Sequence, residues 1–407
     1  MLHLFQKNSQ FRTFLLFKTF NGIGINIFAM FMIWVVHALF GNPIYTGLTG
    51  FMAALPGVVS FLAGPFIDRI SKATILRMAC FVKLCVVTIL LILPPYLLGS
   101  EVWVVLLAVF IFNAARVVAL SSGVAFLPKI VESSDLVRAN SMVSVSGIFG
   151  GFGISILLFV LMDRVDFRVI YGLNAAILLI ALISSVKLRI PETTAGTKIS
   201  PSAYFKDLKD GLSFVSRGVM FHLILALVGI RFVSEIVSVN LPMFVDIHAG
   251  GASGYMLLMI FGMFGGVAGP LVSEHVGQKF KVPKIIIVGY IFAGVSWLVF
   301  IKIATLNFWV ALPIMAIFGM ISANNTIFAQ TLTQKLPPPH TVARISTIKT
   351  SLYNTAAAIG ALLGGFLGDI MPNNGMVLSL QGVAYIIIAV LLCFSVCIKA
   401  LPKIKEL

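Results

Sequence analysis

Charged residues are scarce in this chain of 407 residues. Asp, Glu, Lys and Arg together account for only 11% of the sequence and hydrophobic residues for 59%, with a mean hydropathy of +1.06. Ordinary soluble domains contain about 25% charged residues, and their cores cannot hide this much apolar side chain. The composition therefore excludes a typical soluble domain and predicts an integral membrane protein.

The sequence also lacks the signatures of several other protein classes. No Gly-x-x-x-x-Gly-Lys-Ser/Thr phosphate loop occurs, so we expect no ATP hydrolysis by this chain. No cluster of a nucleophile with a base, or of metal ligands, is present, and we predict no enzyme activity, no metal site and no cofactor. The four cysteines lie inside apolar runs, where cysteine is a small packing residue, so neither a disulfide framework nor a zinc site is expected.

Long apolar runs make up most of the chain. A helix needs roughly 20 apolar residues to cross a bilayer, and about twelve such runs follow one another, joined by short polar turns. We therefore predict an all-α membrane protein with twelve transmembrane helices. The predicted spans cover about residues 13–39, 47–66, 75–98, 102–126, 140–162, 169–188, 219–245, 253–273, 284–303, 307–331, 343–369 and 376–399.

Basic residues are distributed unevenly between the predicted turns. If the N-terminus is cytoplasmic, the outer turns contain only Arg164, Arg168 and Lys302, and all other Lys and Arg outside the spans lie on the inner side. An excess of Lys and Arg in cytoplasmic segments is the usual orientation signal. The pattern predicts that both termini are cytoplasmic. It also accounts for the net charge of +15 without a nucleic-acid partner.

Short repeated motifs divide the chain into two halves. Each half has six predicted spans, an even number, so the two copies should share one orientation and be related by a pseudo-twofold axis along the membrane normal. The offsets between repeats increase only from about 205 to about 214 residues. The repeats are Ala-Gly-Pro at 63–65 and 268–270, Leu-Pro at 127–128 and 336–337, and Gly-Gly-Phe at 150–152 and 364–366.

The one long polar connection lies between the halves, at residues 189–217. Its second part, 201–217, alternates apolar and charged residues and is typical of an amphipathic helix on the inner membrane surface. The predicted domains are therefore an N-terminal six-helix bundle at 1–188, a cytoplasmic linker at 189–217 and a C-terminal six-helix bundle at 218–407.

The loop between the second and third predicted spans carries a family motif. Gly64, Asp68, Arg69 and Lys72 match the spacing of the motif that the major facilitator superfamily has in this loop, with Ser71 where the family usually has Gly. The chain thus resembles this superfamily over essentially its whole length. The resemblance implies a fold of two six-helix bundles around a central cavity, and a secondary transporter driven by an ion gradient.

Two further segments resemble one branch of that superfamily. Residues 136–141 and 207–215 are similar to the branch that contains macrolide-efflux proteins and the enterobactin exporter. This resemblance implies export of a drug-like, macrolide-like or siderophore-like compound.

Ionisable residues at membrane depth are functional candidates, because each costs roughly 2.5–3.5 kcal/mol to insert. Arg116 of span 4 and Arg231 and Glu235 of span 7 lie near the predicted midplane. Lys83 lies nearer the inner side, where its long side chain is expected to reach the interface. Glu235 is the acid deepest in a span, and we predict that it carries the coupling proton. The alternative is a static pair with Arg231, four residues away on the same helix face.

Polar residues and glycines concentrate on different predicted spans. Glycines concentrate on spans 2, 5, 8 and 11, where they permit close helix packing. Spans 1, 4, 7 and 10 are equivalent by the repeat, and in the resembling fold they line the central cavity. Positive formal charge on these spans favours a neutral or acidic amphiphile as substrate. The predicted cavity residues are Asn21, Asn26, Asn113, Arg116, Arg231, Asn324 and Asn325. For Arg116, a structural role in tying span 4 to a neighbouring helix stays open.

The motif residues Gly64, Asp68, Arg69 and Lys72 are predicted to act in gating. Asp68 is expected to pair with Arg344 or Lys349 near the start of span 11, or with the positive end of that helix. The alternative is that the motif only sets membrane topology.

These observations together predict a secondary transporter in the bacterial plasma membrane. We expect a monomer that exports a small amphipathic compound in exchange for protons by alternating access, with the lipid bilayer, protons and the substrate as its partners. The alternatives are an importer or symporter on the same fold, or a lipid flippase.

Overall fold

The structure is a computed structural model. It describes residues 8–60, 71–93, 101–132, 135–188, 213, 215, 216, 218–337, 342–371, 374–399 and 401, and these residues contain helices and short turns but no strand. The helices are α1 Ser9–Phe40, α2 Pro43–Val58, α3 Lys72–Ile92, α4 Val102–Ile130, α5 Leu136–Leu161, α6 Phe167–Val186, α7 Gly218–Ala249, α8 Ala252–Lys279, α9 Val282–Ala304, α10 Phe308–Lys335, α11 Val342–Ile370, α12 Asn374–Phe394 and the short α13 Val396–Lys399.

Helices α1 to α12 follow the order of the twelve predicted spans. Within the described residues, eleven of them are long and apolar enough to cross a membrane. The remaining one, α2, has 16 described residues, and the chain that follows it at 61–70 lies outside the description. A chain in lipid must satisfy its backbone hydrogen bonds internally, which explains why these apolar runs are helical. The prediction of an all-α membrane protein is confirmed.

The turns after α1 and α7 repeat one backbone device. Gly41 follows α1 with a φ of 64°, and Gly250 follows α7 with a φ of 67°. Glycine is the residue that adopts this left-handed conformation without steric cost, and it commonly ends helices in this way. The first helix of each half thus ends in the same kind of turn, in addition to the three repeats seen in the sequence.

The chain forms two compact units. The first contains Met1–Phe40 and Met52–Ser200, and the second contains Gly41–Phe51 and Pro201–Leu407. Gly41–Phe51 belongs to the second unit because Gly47 and Gly50 lie directly against α11, leaving no space for a side chain beside Ala361. The predicted linker at 189–217 lies almost wholly outside the described residues, and the predicted domain boundaries stay a prediction.

The main helix pairs of the first unit recur in the second unit, which in addition packs α8 against α10. In the first unit α1 packs against α5 and α6, and α3 packs against α4 and α6. In the second unit α7 packs against α11 and α12, and α9 packs against α10 and α12. Each helix in these first-unit pairs corresponds to the helix six positions later in the chain, so that the pair α1–α5 corresponds to α7–α11. The internal topology of the two units therefore supports the duplication predicted from the sequence.

Aromatic residues fill the core of the first unit. Phe14 of α1 stacks on Phe126 of α4 with ring centroids 5.0 Å apart, and Phe28 stacks on Phe112 at 3.7 Å. Such pairs add about 0.5–1.5 kcal/mol to the effect of burying their area. These two ring pairs connect α1 to α4, whereas the main neighbours of α1 are α5 and α6.

Glycines bring helices together in the second unit. Gly265 and Gly269 of α8 lie against the backbone of α10, and Gly319 of α10 lies against Gly262 of α8. A side chain at any of these positions would overlap the neighbouring helix, so α8 and α10 owe their close approach to small residues. The glycines of α5 in the first unit are also predicted to permit close helix packing. Gly150 does so, because it contacts Ile23, whereas Gly147 has open space around it among the described residues.

Candidate functional site

An ion pair lies in the middle of α7. Arg231 Nη2 is 2.9 Å from Glu235 Oε2, and the side chains are 33% and 15% exposed. Arg231 lies 13 residues after the start of α7, and Glu235 lies 14 residues before its end. Each distance is about 20 Å at 1.5 Å per residue. The pair predicted from the i, i+4 spacing is therefore present, deep within an apolar helix.

Arg231 has a second partner on α11. Its guanidinium carbon lies 5.1 Å from the centre of the Tyr353 ring, a distance at which a cation is attracted to the face of an aromatic ring. The Nε of Arg231 is buried and has no hydrogen-bond partner in the part of the chain that the structure describes. Arg231 is thus shared between a carboxylate on its own helix and an aromatic ring on the neighbouring one.

The close approach of α11 explains why Glu235 is largely buried. Gly360 lies against the carbonyl oxygen of Phe232, and a Cβ at this glycine would be 3.2 Å from the Cβ of Glu235. One turn further, Gly364 lies against Ile236 in the same way. Glycine at these two positions lets the α11 backbone cover the face of α7 that carries the acid.

Tyrosines of four helices lie near this pair or near its neighbour Tyr353. Tyr255 of α8, 3% exposed, interacts electrostatically with Glu235. Tyr290 of α9 and Tyr385 of α12 have their ring centres 5.7 Å apart, and both interact electrostatically with Tyr353. Tyrosine combines a large apolar ring with a hydroxyl that needs a partner when it is buried. The site therefore offers aromatic faces and hydroxyl groups beside one cation and one acid.

A different arrangement occurs in the first unit. Lys83 of α3 is fully buried, and its ammonium group donates a hydrogen bond to Oδ1 of Asn21 on α1. Lys18, Cys80 and Arg116 are its electrostatic neighbours. The expectation that Lys83 reaches the membrane interface is wrong, because Asn21 supplies an acceptor inside the helix bundle and makes burial of the ammonium group tolerable.

The other predicted cavity residues of the first unit differ in exposure. Arg116 is exposed and Asn26 is partly buried. Asn113 is buried, and its amide group donates to the Val109 carbonyl of its own helix at 2.9 Å. Of the four predicted residues in this unit, Asn21 contacts Lys83 directly, and Arg116 interacts with it only electrostatically.

The two asparagines of α10 contact α8 and α9. Asn324 Oδ1 accepts a hydrogen bond from the Ser273 hydroxyl at 2.7 Å. Asn325 is 1% exposed and lies directly against Gly289 of α9. Among the described residues, neither atom of its amide group has a hydrogen-bond partner. Their described contacts thus differ from those of Arg231 and Glu235, which lie beside α8 and α11.

Comparison with known proteins identifies the family. The sequence profile of the Major Facilitator Superfamily matches residues 14–361. The chain belongs to the Major Facilitator Superfamily. No curated protein matches the sequence significantly. The resemblance seen in the sequence is confirmed at the level of the superfamily, and its macrolide-efflux and enterobactin-exporter branch stays a prediction.

Solved structures of other transporters share the fold of this superfamily member. A D-xylose–proton symporter has a TM-score of 0.75 at 12% identity, with 98% of each chain covered. A mutant of the nucleoside transporter NupG has a TM-score of 0.73 at 12% identity, covering 94% of this chain and 100% of NupG. A mutant peptide transporter in complex with alafosfalin has a TM-score of 0.73 at 14% identity, covering 95% and 93%. At these identities the likeness shows the fold, and the chain is a multi-pass membrane protein of the superfamily.

Most of the superfamily's loop motif lies outside the described residues in this chain. Gly64, Asp68 and Arg69 fall there, and Lys72 is the first residue of α3. The side chain of Arg344 is also outside the description, whereas Lys349 donates a 3.4 Å hydrogen bond to Thr333. The gating role of the motif therefore stays a prediction.

Sequence reasoning missed the tyrosines of this superfamily member. The chain has 8 tyrosines, and Tyr255, Tyr290, Tyr353 and Tyr385 all fall within predicted spans. A hydroxyl-bearing ring at membrane depth is a signal that could have selected them, since its hydroxyl requires a partner there. The sequence does not show that these four tyrosines, each on a different helix, come near one another in the fold.

Proposed function

We propose that this superfamily member is a proton-coupled secondary transporter that exports a small amphipathic compound by alternating access. The observation that carries the proposal is the Arg231–Glu235 pair, about 20 Å from either end of α7. An acid at this depth is costly to insert, which makes it a candidate for a functional role. Protonation of Glu235 would release Arg231 from the ion pair.

The second partner of Arg231 supports a coupling role for Glu235. Arginine keeps its charge throughout the physiological pH range, so a protonated Glu235 would leave an unpaired cation in the membrane. The Tyr353 ring, 5.1 Å from the guanidinium carbon, still attracts that cation when the carboxylate is neutral. With Tyr353 as a second partner, Arg231 keeps a stabilising contact when Glu235 is protonated, so Glu235 can gain and lose a proton.

The exposed arginines of the two units support a neutral or acidic substrate. Arg231 of the second unit is one-third exposed, and Arg116 of the first unit is exposed. A planar guanidinium group binds carboxylate or carbonyl oxygens through paired donors. We therefore propose an amphiphile of the macrolide or siderophore type, in agreement with the branch that residues 136–141 and 207–215 resemble.

A symporter on the same fold is the second candidate. It is suggested by the likeness of fold to a D-xylose–proton symporter. Both candidates use a proton gradient, and they differ in whether substrate and proton move in opposite directions or together.

Transport by purified protein in liposomes distinguishes these candidates. The probes are a labelled macrolide and a labelled catecholate siderophore, with protein-free liposomes as the control. Antiport predicts that a probe accumulates in a lumen more acidic than the outside, whereas symport predicts accumulation only when the outside is the more acidic side. This outcome does not depend on how the protein is oriented. If neither gradient drives either probe, proton-coupled transport of these two classes is contradicted.

Glu235→Gln tests the coupling residue. We expect uphill accumulation to be lost while downhill exchange of the probe continues. Asp246→Asn is the matched control, because Asp246 is an exposed acid near the end of the same helix, and it should transport normally. Uphill transport by Glu235→Gln with an unchanged pH dependence would remove Glu235 from the mechanism.

We also propose a bacterial plasma-membrane location, cytoplasmic termini and a monomeric state. The distribution of Lys and Arg supports the orientation. Fusions of the C-terminus to a reporter that is active only in the cytoplasm, and to one that is active only outside it, test the orientation. Activity of the second reporter alone would contradict it.

A further inference from the structure

A cavity of about 340 Å³ lies in the second unit, between α8, α9 and α10. Its walls are mainly apolar, and they include Val276, Val288 and Phe292. The polar members of the wall are Lys284 and Asn324. We call this cavity the α8–α10 groove. It is separate from the Arg231–Glu235 pair, neither of whose residues lines it.

The groove follows one face of α9 into the membrane. Lys284 is the third residue of this helix, and Val288 and Phe292 lie one and two turns further along it. Val288 and Phe292 are 38% and 60% exposed in the complete chain. The eight residues from Lys284 to Phe292 cover about 12 Å, and one leaflet of hydrocarbon is about 15 Å thick. The apolar wall therefore has nearly the length of one leaflet.

The mouth of the groove is positively charged. Lys279, Lys281 and Lys284 are all exposed in or beside the turn between α8 and α9, and the same stretch of sequence contains one acid, Glu274, and His275. The ammonium group of Lys284 lies 5.0 Å from the centre of the Phe280 ring. This contact holds the Lys284 cation at the mouth of the groove. By the distribution of Lys and Arg, this turn is on the inner side of the membrane.

A polar group also occurs at intermediate depth. Asn325 lies against Gly289, which places the adjacent Asn324 about five residues, or roughly 7 Å, deeper than Lys284. The Asn324 oxygen already accepts a hydrogen bond from Ser273, so the amide NH₂ of Asn324 is its donor group. The groove thus offers a cation at its mouth, a donor somewhat deeper, and an apolar wall beyond.

We infer that the α8–α10 groove binds an anionic phospholipid of the inner leaflet, with its phosphate at Lys284, an ester carbonyl at Asn324 and an acyl chain along Val288 and Phe292. The order of chemical groups in such a lipid, from charged headgroup through esters to hydrocarbon, matches the order of the wall residues. Anionic lipids are attracted by basic residues on the cytoplasmic side of the membrane. A zwitterionic lipid has the same chain but no net charge to match the basic mouth.

Lipid titration into purified, delipidated protein tests the inference, with native mass spectrometry as the readout. We expect phosphatidylglycerol to bind more tightly than phosphatidylcholine. Lys284→Gln should weaken phosphatidylglycerol binding about five-fold, which corresponds to about 1 kcal/mol per basic residue, and leave phosphatidylcholine unchanged. Lys302→Gln, at the other end of α9, is the matched control and should have no effect.

A second variant tests the apolar part of the groove. Val288→Trp should weaken binding of both lipids, because the larger ring occupies the space of the acyl chain, while the thermal unfolding temperature of the protein stays unchanged. Equal affinities for the two lipids, or no change in Lys284→Gln, would overturn the inference. Displacement of phosphatidylglycerol by inorganic phosphate alone, or by the labelled macrolide or siderophore, would also overturn it, since the groove would then be a headgroup-only or substrate site.

Discussion

Each unit holds a cation among its helices, but the partner of that cation differs. In the first unit Lys83 is fully buried and donates to the neutral amide oxygen of Asn21. In the second unit Arg231 is paired with the carboxylate of Glu235 and also faces the Tyr353 ring. The main helix pairs of the first unit recur in the second, and the two cations differ in the side chains that surround them.

The comparison shows two ways to compensate a cation at membrane depth. An amide oxygen satisfies one of the three donors of an ammonium group but leaves its charge in place. A carboxylate neutralises the charge of a guanidinium group and accepts its hydrogen bonds. Lys83 can lose a proton as well, but this would change only its own hydrogen bond to Asn21. Protonation of Glu235 would instead break an ion pair and leave an arginine that keeps its charge. We therefore propose that coupling resides in the second unit.

The largest expected effect comes from breaking the ion pair. Arg231→Met leaves Glu235 without its cation and should lower the free energy of unfolding by about 3 kcal/mol, the lower end for a buried pair because Arg231 is one-third exposed. The double variant Arg231→Met with Glu235→Leu should recover most of this loss. Unfolding in detergent with increasing denaturant measures both. A double variant as unstable as the single one would show that the pair itself is stabilising.

A smaller effect is expected from the Lys83 site. Asn21→Leu removes the acceptor of a buried ammonium group and should lower the free energy of unfolding by about 2 kcal/mol. Asn21→Asp converts this site into an ion pair like that of the second unit and should be at least as stable as the natural protein. Asn113→Leu is the matched control on α4, since the hydrogen bond described for Asn113 stays within its own helix, and it should lose about 1 kcal/mol.

The packing that buries Glu235 gives a third comparison. Gly360→Ala places a methyl group against the Phe232 carbonyl and should lower the free energy of unfolding by about 1–2 kcal/mol through overpacking. Gly147→Ala on α5 has open space among the described residues and should be neutral or slightly stabilising, because alanine favours helices. Thermal unfolding of the two variants checks this, and equal destabilisation of both would contradict the assigned close contact.

The smallest effect is expected at the ring beside Arg231. Tyr353→Leu removes the aromatic partner and should lower the free energy of unfolding by about 0.5–1 kcal/mol, whereas Tyr353→Phe keeps the ring and should change it little. In transport assays the leucine variant should weaken proton-driven accumulation more than downhill exchange. If the phenylalanine variant loses as much as the leucine variant, the hydroxyl and not the ring is what matters at this position.

Much of the fold follows from the sequence alone. The apolar runs predict helices α1 to α12 because a backbone in lipid must satisfy its own hydrogen bonds, and helices do this within one segment. The i, i+4 spacing of Arg231 and Glu235 predicts their contact because both lie on one helix, where local geometry decides what can meet. The short motifs predict the duplication, which the helix pairing within each unit supports.

The neighbours of each helix face were decided only by tertiary packing. Lipid and protein interior are similarly apolar, so an apolar stretch in a membrane helix does not show which of its faces meets another helix. The burial of Lys83 beside Asn21, the contacts of Asn324 and Asn325 with α8 and α9, and the grouping of four tyrosines around Tyr353 all depend on residues far apart in the chain. The sequence determines which segments are helices and which polar side chains they carry, and the packing of those helices determines which of these side chains meet.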